Sequence, residues 1–305
     1  MKKLKGVVTA VPTLLDDQLV VRKDWMVQLT EFIIKGGVDG LYPCGTTGEM
    51  LYLTKAERKM IAETVVETKN RINPKITTYI HVGAAIPQET VELALHAHSI
   101  GADGVGVVTP WYHRIDDEAL YQYYDFVFSQ LPNDFPLYVY NIPQLSGNDL
   151  KPNTIADLKK KYANLVGVKY SYSDFNRLKE YIALDGIEVL VGPDVQMIES
   201  MFIGAKGTVS GLSALYPELF SKLNTLFEKK EYEKAVHLET YAYTLGCIME
   251  HGGNLAKFKV ALEMRGLPRS LVKPPLRNMN KDERTEFLKS LQVWENSLSG
   301  ILSLN

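Results

Sequence analysis

The sequence predicts an α/β protein, a closed (β/α)8 TIM barrel followed by a C-terminal appendix of about three helices. Eight short runs of β-branched and small apolar residues alternate with amphipathic helical patterns up to about residue 230. Strands that alternate with helices pair in parallel through right-handed crossovers, and a count of eight favours closure. An open doubly wound sheet is the competing architecture. No GxGxxG turn follows the first run, as a dinucleotide-binding sheet of that kind would require.

The eight strand candidates are separated by segments long enough to hold a helix. They span residues 6–15, 37–45, 75–84, 102–112, 136–143, 165–171, 187–194 and 205–212. The segment 54–71 shows the helical pattern clearly, because it opens with Thr54, has Glu57 three residues later and carries apolar residues at helical spacing. This spacing predicts a capping box at the start of a helix.

Beyond residue 230 the pattern is purely helical. Segments 231–252, 254–266 and 280–302 have helical character, and a proline-rich break separates the last two. We therefore expect residues 1–229 to form the barrel. Residues 230–305 are expected to form a helical extension packed on it, so that the two make one structural unit.

Composition disfavours several classes of partner. The chain has 305 residues, 34 basic against 36 acidic side chains and a pI near 6.3, which gives no electrostatic reason to expect nucleic acid or an anionic membrane. No run of 18 apolar residues occurs, and the N-terminal segment is interpreted as a strand and not as a signal peptide. Cys44 and Cys247 form no CxxC and the histidines are scattered, which favours a reducing cytoplasm and no metal site.

In a (β/α)8 barrel the active site lies at the C-terminal ends of the strands, and the sixth run carries a lysine there. Alternation predicts that Lys169 shares the lumenal face with Gly167 and Ser171, while Val166 and Val168 face the helices. A buried ammonium tends to lose its proton, and a neutral amine attacks ketones to form a Schiff base. The alternatives are a lysine that reaches solvent from the strand end and one that is ion-paired in the lumen.

Two further strand ends offer groups suited to such chemistry. Tyr140 ends the fifth run, and a phenol there could relay the protons of imine formation and of carbon–carbon cleavage; the alternative is a core tyrosine with a bonded hydroxyl. Thr46 and Thr47 lie between Gly45 and Gly48, where hydroxyls and amides could bind a carboxylate. The alternative for this segment is an ordinary glycine turn.

Five motifs together indicate a family. They are GTTGE at 45–49, VTPWY at 108–112, YNIPQLSG at 140–147, GVKYS at 167–171 and GAKGTVSG at 204–211. In this order and at these separations they resemble the dihydrodipicolinate synthase and N-acetylneuraminate lyase family of class I, pyruvate-linked aldolases, over essentially the whole chain. The resemblance implies a (β/α)8 barrel, a homotetramer, and no metal or organic cofactor beyond the covalent imine of a keto acid.

The resemblance also implies a role for each matching residue. Lys169 corresponds to the Schiff-base lysine, and Tyr140 to the catalytic proton carrier. Thr46 and Thr47 correspond to the pair that binds the substrate carboxylate and polarises the tyrosine. Tyr112 corresponds to the tyrosine that synthase-type members lend to the site of a neighbouring subunit.

Departures from the family patterns bear on the substrate. Synthases typically read YNxPxRTG, and Leu145 stands here at the position of the arginine that grips the second substrate's carboxylate. The lyases place Gly-x-Asp-Glu after the seventh strand. This chain keeps Gly192 and Asp194 but has Val195 in place of the glutamate.

Ser171 and Ser210 occupy positions that in the lyases contact the hydroxylated substrate chain. Taken together, the resemblance favours cleavage of an N-acetylneuraminate-type 2-keto-3-deoxy sugar acid to pyruvate and an aldehyde sugar. The alternatives are dihydrodipicolinate synthase, an aldolase or dehydratase for a shorter acid such as 2-keto-3-deoxygluconate, and a non-catalytic keto-acid-binding paralogue. Retention of Lys169 and Tyr140 argues against the paralogue, since binding alone needs neither amine nor proton relay.

Overall fold

A closed barrel of eight parallel strands forms the centre of the computed structural model, which describes residues 1–302. Each strand pairs with the next along the chain, and the last pairs back to the first, so the prediction of a closed barrel is confirmed. The strands are β1 (Gly6–Ala10), β2 (Gly40–Tyr42), β3 (Thr77–His81), β4 (Gly104–Val108), β5 (Leu137–Asn141), β6 (Leu165–Tyr170), β7 (Glu188–Val191) and β8 (Gly207–Ser210).

Nine helices follow or lie between the strands, and three more form the C-terminal appendix in the described part of the chain. The first nine are α1 (Lys23–Lys35), α2 (Lys55–Ile72), α3 (Pro87–Ser99), α4 (Asp117–Phe128), α5 (Pro143–Ser146), α6 (Pro152–Lys161), α7 (Phe175–Ile182), α8 (Met197–Phe202) and α9 (Pro217–Glu228). The appendix comprises α10 (Tyr232–Ile248), α11 (Leu255–Met264) and α12 (Lys281–Leu302). Residues 303–305 of the predicted extension lie outside the described residues.

The start of α2 confirms the predicted capping box. The hydroxyl of Thr54 accepts a hydrogen bond from the Glu57 N–H at 3.2 Å, and the Glu57 carboxylate accepts one from the Thr54 N–H at 2.7 Å. These two bonds satisfy backbone donors that the first turn of a helix otherwise leaves free.

Among the described helices, none combines the length and the apolar composition that crossing a membrane requires.

The barrel lumen is filled by its own cluster of buried side chains, which includes Tyr79 and Tyr138 in edge-to-face contact with ring centroids 5.2 Å apart. Val166 belongs to this lumenal cluster, so the prediction that it faces the helices is wrong. Strict alternation fails at this point because the β5–β6 register shifts and places Tyr138 opposite Gly167, which leaves Val166 without a ladder partner. Val168 packs among the residues between the sheet and the helices, as alternation predicts.

A buried ion pair joins the appendix to the loop that follows β2. Lys259 on α11 lies 2.6 Å from the Glu49 carboxylate, and both side chains are shielded from solvent. Lys259 also donates to the Thr13 carbonyl, and the second Glu49 oxygen accepts from the Lys273 N–H at 2.9 Å. Burial lowers the pKa of Lys259, and the neighbouring Glu49 carboxylate opposes that shift. The appendix is therefore held to the barrel by charge as well as by apolar packing.

We expect Glu49→Gln to lower the free energy of unfolding by about 3–5 kcal/mol, because it leaves the Lys259 ammonium buried without its anion. Urea unfolding followed by circular dichroism measures this change. Lys160→Met is the matched control. It breaks the exposed Lys160–Asp157 pair, whose atoms lie 2.8 Å apart, and should change stability by less than about 1 kcal/mol. A change for Glu49→Gln as small as that of the control would show that the buried pair contributes little to stability.

Candidate active site

The C-terminal ends of the strands surround a cavity of about 480 Å³. Most of the residues predicted from the sequence to form a site line this cavity. They are Thr46, Thr47, Tyr140, Leu145, Lys169, Ser171, Gly192 and Asp194. Ser210 and Tyr112 do not line it.

Lys169 and Tyr140 lie side by side on adjacent strands. The parallel register of β5 and β6 pairs the two residues, and the Lys169 Nζ atom lies 3.9 Å from the centroid of the Tyr140 ring. Only 4 % of Lys169 is exposed, which excludes a side chain that extends into solvent. Within the described part of the chain, the side-chain nitrogen of Lys169 forms no hydrogen bond and no ion pair. No carboxylate therefore competes with a substrate carbonyl for this nitrogen.

The loop after β2 brings its two threonines to the cavity and to Tyr140. The hydroxyl oxygens of Thr46 and Tyr140 lie 3.3 Å apart, so either group is able to donate to the other. A tight turn forms the loop, in which the Gly48 N–H donates to the Gly45 carbonyl at 3.0 Å. Over the described residues, the backbone N–H groups of Thr46 and Thr47 have no acceptor. Two free amides beside two hydroxyls suit an anion such as a carboxylate.

Asp194 lies just beyond β7 and presents a carboxylate to the cavity. Its Oδ1 atom is buried and has no hydrogen-bond partner among the described residues. Burial raises the pKa of Asp194 to about 6, although the hydroxyl of Ser210 and the charge of Lys169 oppose the shift. Ser210 is fully buried behind the cavity wall, where its hydroxyl accepts a hydrogen bond from the Ser213 N–H at 2.8 Å. Ser210 itself does not line the cavity.

Ser171 follows β6, and its hydroxyl occupies the space beside Gly192. A Cβ atom at position 192 would lie 1.8 Å from the Ser171 hydroxyl oxygen, so only glycine fits there with the serine in place. Ser171 and Gly192, both predicted substrate-binding positions, therefore depend on each other for position.

Leu145 and Tyr112 occupy more open positions. Leu145 lies on the short helix α5 and borders the cavity with 63 % of its surface exposed. Tyr112 is 87 % exposed and adopts a left-handed backbone conformation with φ of 80°. The structure of a single chain does not bring Tyr112 to Lys169.

Two aromatic residues near Lys169 were not predicted from the sequence to belong to the site. Tyr42 ends β2 and its ring centroid lies 4.8 Å from the Lys169 nitrogen. His81 ends β3, is fully buried, and has its Nδ1 atom 3.0 Å from the Cys44 carbonyl oxygen. Burial and the nearby charges of Arg58 and Lys169 lower the pKa of His81 well below 6.5, so its ring stays neutral. The sequence feature that could have identified them is their position at the C-terminal ends of predicted strands.

The segment between α10 and α11 also reaches the cavity. Glu250 and His251 line it, and both have left-handed backbone conformations, with φ of 52° and 50°. Glu250 forms an ion pair of 3.0 Å with Lys257. Val195 lines the cavity close to Gly246 of α10, where an added Cβ would lie 2.7 Å from the valine. No local sequence pattern indicates that this segment folds over the barrel mouth.

Charged groups in the cavity wall are few. They are Lys169, Asp194 and Glu250, and the lining contains no arginine. Away from the lysine, the described wall is therefore acidic or neutral, which disfavours a second carboxylate on the bound molecule.

Known proteins resemble this chain in sequence and in fold. A sequence profile of the Dihydrodipicolinate synthetase family matches residues 3–293. An uncharacterized DapA-like lyase of Halobacterium salinarum is 33% identical over 282 residues, covering 92% of this chain and 91% of that protein. An N-acetylneuraminate lyase of Mediterraneibacter gnavus is 30% identical over 295 residues, covering 95% of this chain and 91% of that protein. The solved 4-hydroxy-tetrahydrodipicolinate synthase of Methylacidiphilum fumariolicum superposes with a TM-score of 0.91 at 26% identity, covering 99% of both chains.

We expect the Asp194 carboxyl group to be charged above about pH 6 and neutral below it, because its pKa is raised to about 6. The carbon-13 resonance of this carboxyl group, followed against pH, measures the midpoint. Ser210→Ala should move the midpoint upward, since it removes the hydroxyl that stabilises the charged form. Asp194→Asn identifies the resonance by deleting it, and a midpoint below 5 would contradict the assignment.

The same titration has a consequence for stability. Asp194 holds its proton more tightly in the folded chain than in the unfolded one, where an aspartate has a pKa of about 3.9. Its stabilising contribution is therefore fully present below about pH 4 and is lost as the pH rises through about 6. The stability of Asp194→Asn should change less across this range than that of the unaltered chain.

Proposed function

The chain belongs to the dihydrodipicolinate synthetase family of class I carbon–carbon lyases, and from this we propose that it cleaves a 2-keto-3-deoxy sugar acid of the N-acetylneuraminate type. The products are pyruvate and an aldehyde sugar. The observation that carries the proposal is the buried Lys169 nitrogen, 3.9 Å from the centroid of the Tyr140 ring and free of any ion pair among the described residues. That arrangement suits a nucleophilic amine beside a proton carrier.

The reaction begins with imine formation. The neutral amine of Lys169 attacks the C2 carbonyl of the keto acid, whose carboxylate binds the free amides and hydroxyls of Thr46 and Thr47. The nitrogen–C2 bond forms as the carbonyl π bond opens. The carbinolamine oxygen then takes one proton from the nitrogen and one from solvent, the C2–O bond breaks, and water leaves a protonated imine. We assign the relay of these protons to Tyr140, which lies beside the Lys169 nitrogen and whose hydroxyl lies 3.3 Å from that of Thr46.

Cleavage then uses the iminium group as an electron sink. Tyr140 accepts the proton of the C4 hydroxyl as it passes its own proton to the substrate carboxylate. The C3–C4 bond breaks, and its electron pair moves through C3–C2 to the iminium nitrogen. The aldehyde leaves, the enamine is protonated at C3, and water releases pyruvate and regenerates the Lys169 amine. The reverse sequence is an aldol condensation. The imine on Lys169 supplies the electron sink, so the proposal requires no metal or organic cofactor.

The wall of the cavity favours a hydroxylated tail over a second carboxylate. Ser171 and Asp194 offer a hydroxyl and an acceptor oxygen, and the buried Oδ1 atom of Asp194 has no partner in the described part of the protein. Leu145 supplies no charge for a second carboxylate, and no arginine is among the described residues of the lining. Because Val195 replaces an acid of the lyase pattern, a sugar acid shorter than N-acetylneuraminate also fits this wall.

We further propose that the protein is a homotetramer in which Tyr112 enters the site of a neighbouring subunit. Its 87 % exposure and left-handed backbone make the side chain available outside its own barrel. A cytoplasmic location, and the absence of nucleic-acid and membrane partners, stay predictions from composition.

The second candidate is the synthase reaction between pyruvate and aspartate semialdehyde. The name of the solved Methylacidiphilum fumariolicum structure favours it, and Leu145 disfavours it because no arginine binds the second carboxylate.

We expect borohydride reduction in the presence of pyruvate to attach a pyruvyl group to Lys169. Peptide mass mapping measures the adduct, and Lys169→Met should abolish it. Lys206→Met, which removes an exposed lysine next to β8, is the control and should leave the adduct unchanged. A modified lysine elsewhere, or no adduct, would contradict the proposed chemistry.

A substrate panel separates the candidate activities. Pyruvate release from N-acetylneuraminate and from shorter 2-keto-3-deoxy acids should exceed the rate of condensation with aspartate semialdehyde. Leu145→Arg should raise that condensation rate by about tenfold, because a bidentate arginine–carboxylate pair is worth about 1.4 kcal/mol or more. Faster condensation than cleavage by the unaltered chain would identify the synthase as its activity.

A further inference from the structure

The Lys169 nitrogen lies against two aromatic ring faces. The centroid of the Tyr140 ring is 3.9 Å away and that of the Tyr42 ring is 4.8 Å away. Both distances fall within the range of about 6 Å over which a ring face attracts a cation. The two tyrosines come from different parts of the barrel, Tyr140 from β5 and Tyr42 from β2.

No anion is in contact with this nitrogen. Lys169 forms no ion pair within the described residues, and the Asp194 carboxylate shares its cavity without contacting it. The partners nearest to a positive charge here are therefore the negative faces of the two rings.

The position of Tyr42 is fixed by its surroundings. Its side chain is fully buried, and an added Cβ on Gly106 would lie 1.8 Å from its hydroxyl oxygen. The hydroxyl is buried and has no hydrogen-bond partner in the described part of the chain, and burial raises its pKa well above 10. Tyr42 consequently remains a neutral phenol, and it presents its ring face to Lys169.

We propose that Tyr42 is a catalytic residue whose ring face stabilises the iminium cation that Lys169 forms with the keto acid. This inference rests on the proposed function. When the nitrogen–C2 bond forms and the carbonyl oxygen leaves as water, the neutral amine becomes a positively charged iminium group. In the free protein, water in the open cavity can solvate the Lys169 nitrogen, whereas the bound keto acid displaces that water. The iminium group has only one N–H, so its charge depends more on the ring faces than the charge of an ammonium would.

A ring face has one advantage over a carboxylate as the partner of this charge. A carboxylate would hold the ammonium in an ion pair and would itself accept protons. A neutral ring stabilises the cation without forming an ion pair and without accepting protons. When the charge disappears in the enamine, no unpaired anion is left beside the nitrogen. Tyr42 thus takes the place that a counter-ion would have.

A graded series at position 42 tests the proposal with little change of shape. Tyr42 is replaced by phenylalanine and then by phenylalanines carrying one, two and three fluorine atoms. Each added fluorine weakens the attraction of the ring face for a cation. The readout is the pyruvate concentration that gives half-maximal borohydride trapping on Lys169. We expect Tyr42→Phe to stay within about threefold of the unaltered protein, and the value to rise stepwise by about tenfold in total along the fluorinated series. Tyr42→Leu should raise it by at least as much.

Tyr138 provides the matched control, since it is also fully buried in the lumen but lies against Tyr79. The same fluorinated series at position 138 should leave the pyruvate concentration unchanged, and melting temperatures verify that each variant is folded. A flat response along the series at position 42, with the adduct still formed, would overturn the role of Tyr42 alone. Loss of trapping in Tyr42→Phe would assign the effect to the hydroxyl instead. Absence of any adduct in the unaltered protein would overturn the proposed function and this inference with it.

Discussion

The site depends on the parallel register of β5 and β6, which places Tyr140 opposite Lys169. That register includes a shift near Leu137, and beyond the shift the lysine points into the lumen. A slip of one residue would turn Lys169 towards the helices, because side chains alternate between the two faces of a strand. The hydrogen bonds of the barrel wall therefore fix the distance between the amine and the phenol before any ligand is bound.

The loop that carries Thr46 and Thr47 is fixed by a different kind of contact. Glu49, in the same loop, is paired with Lys259 from the appendix at 2.6 Å. A buried pair of this kind contributes strongly to position, because either charge alone would be unfavourable in the interior. Although the appendix adds no strand to the barrel, it holds the threonine loop and supplies Glu250 and His251 to the cavity wall. The barrel and the appendix therefore build the site together.

In the proposed reaction, chemistry and specificity depend on separate parts of the structure. The amine, the phenol and the ring of Tyr42 belong to the short strands β6, β5 and β2, whose backbones pair within the barrel. The tail of a substrate would meet Asp194, Leu145 and the segment after α10, which lie in loops and short helices. Loops of this kind vary without disturbing the sheet, so one imine chemistry serves several keto acids on the same fold.

The sequence by itself determined the barrel, the capping box at Thr54 and the strand ends at which Lys169 and Tyr140 lie, because these follow from local periodicity and turn chemistry. Only the tertiary structure decided that Val166 faces the lumen, since a register shift belongs to a pair of strands and not to one. It likewise decided that Tyr42 lies over the Lys169 nitrogen and that His251 lines the cavity. Those contacts join residues far apart in the chain, and barrel closure and the packing of the appendix bring them together.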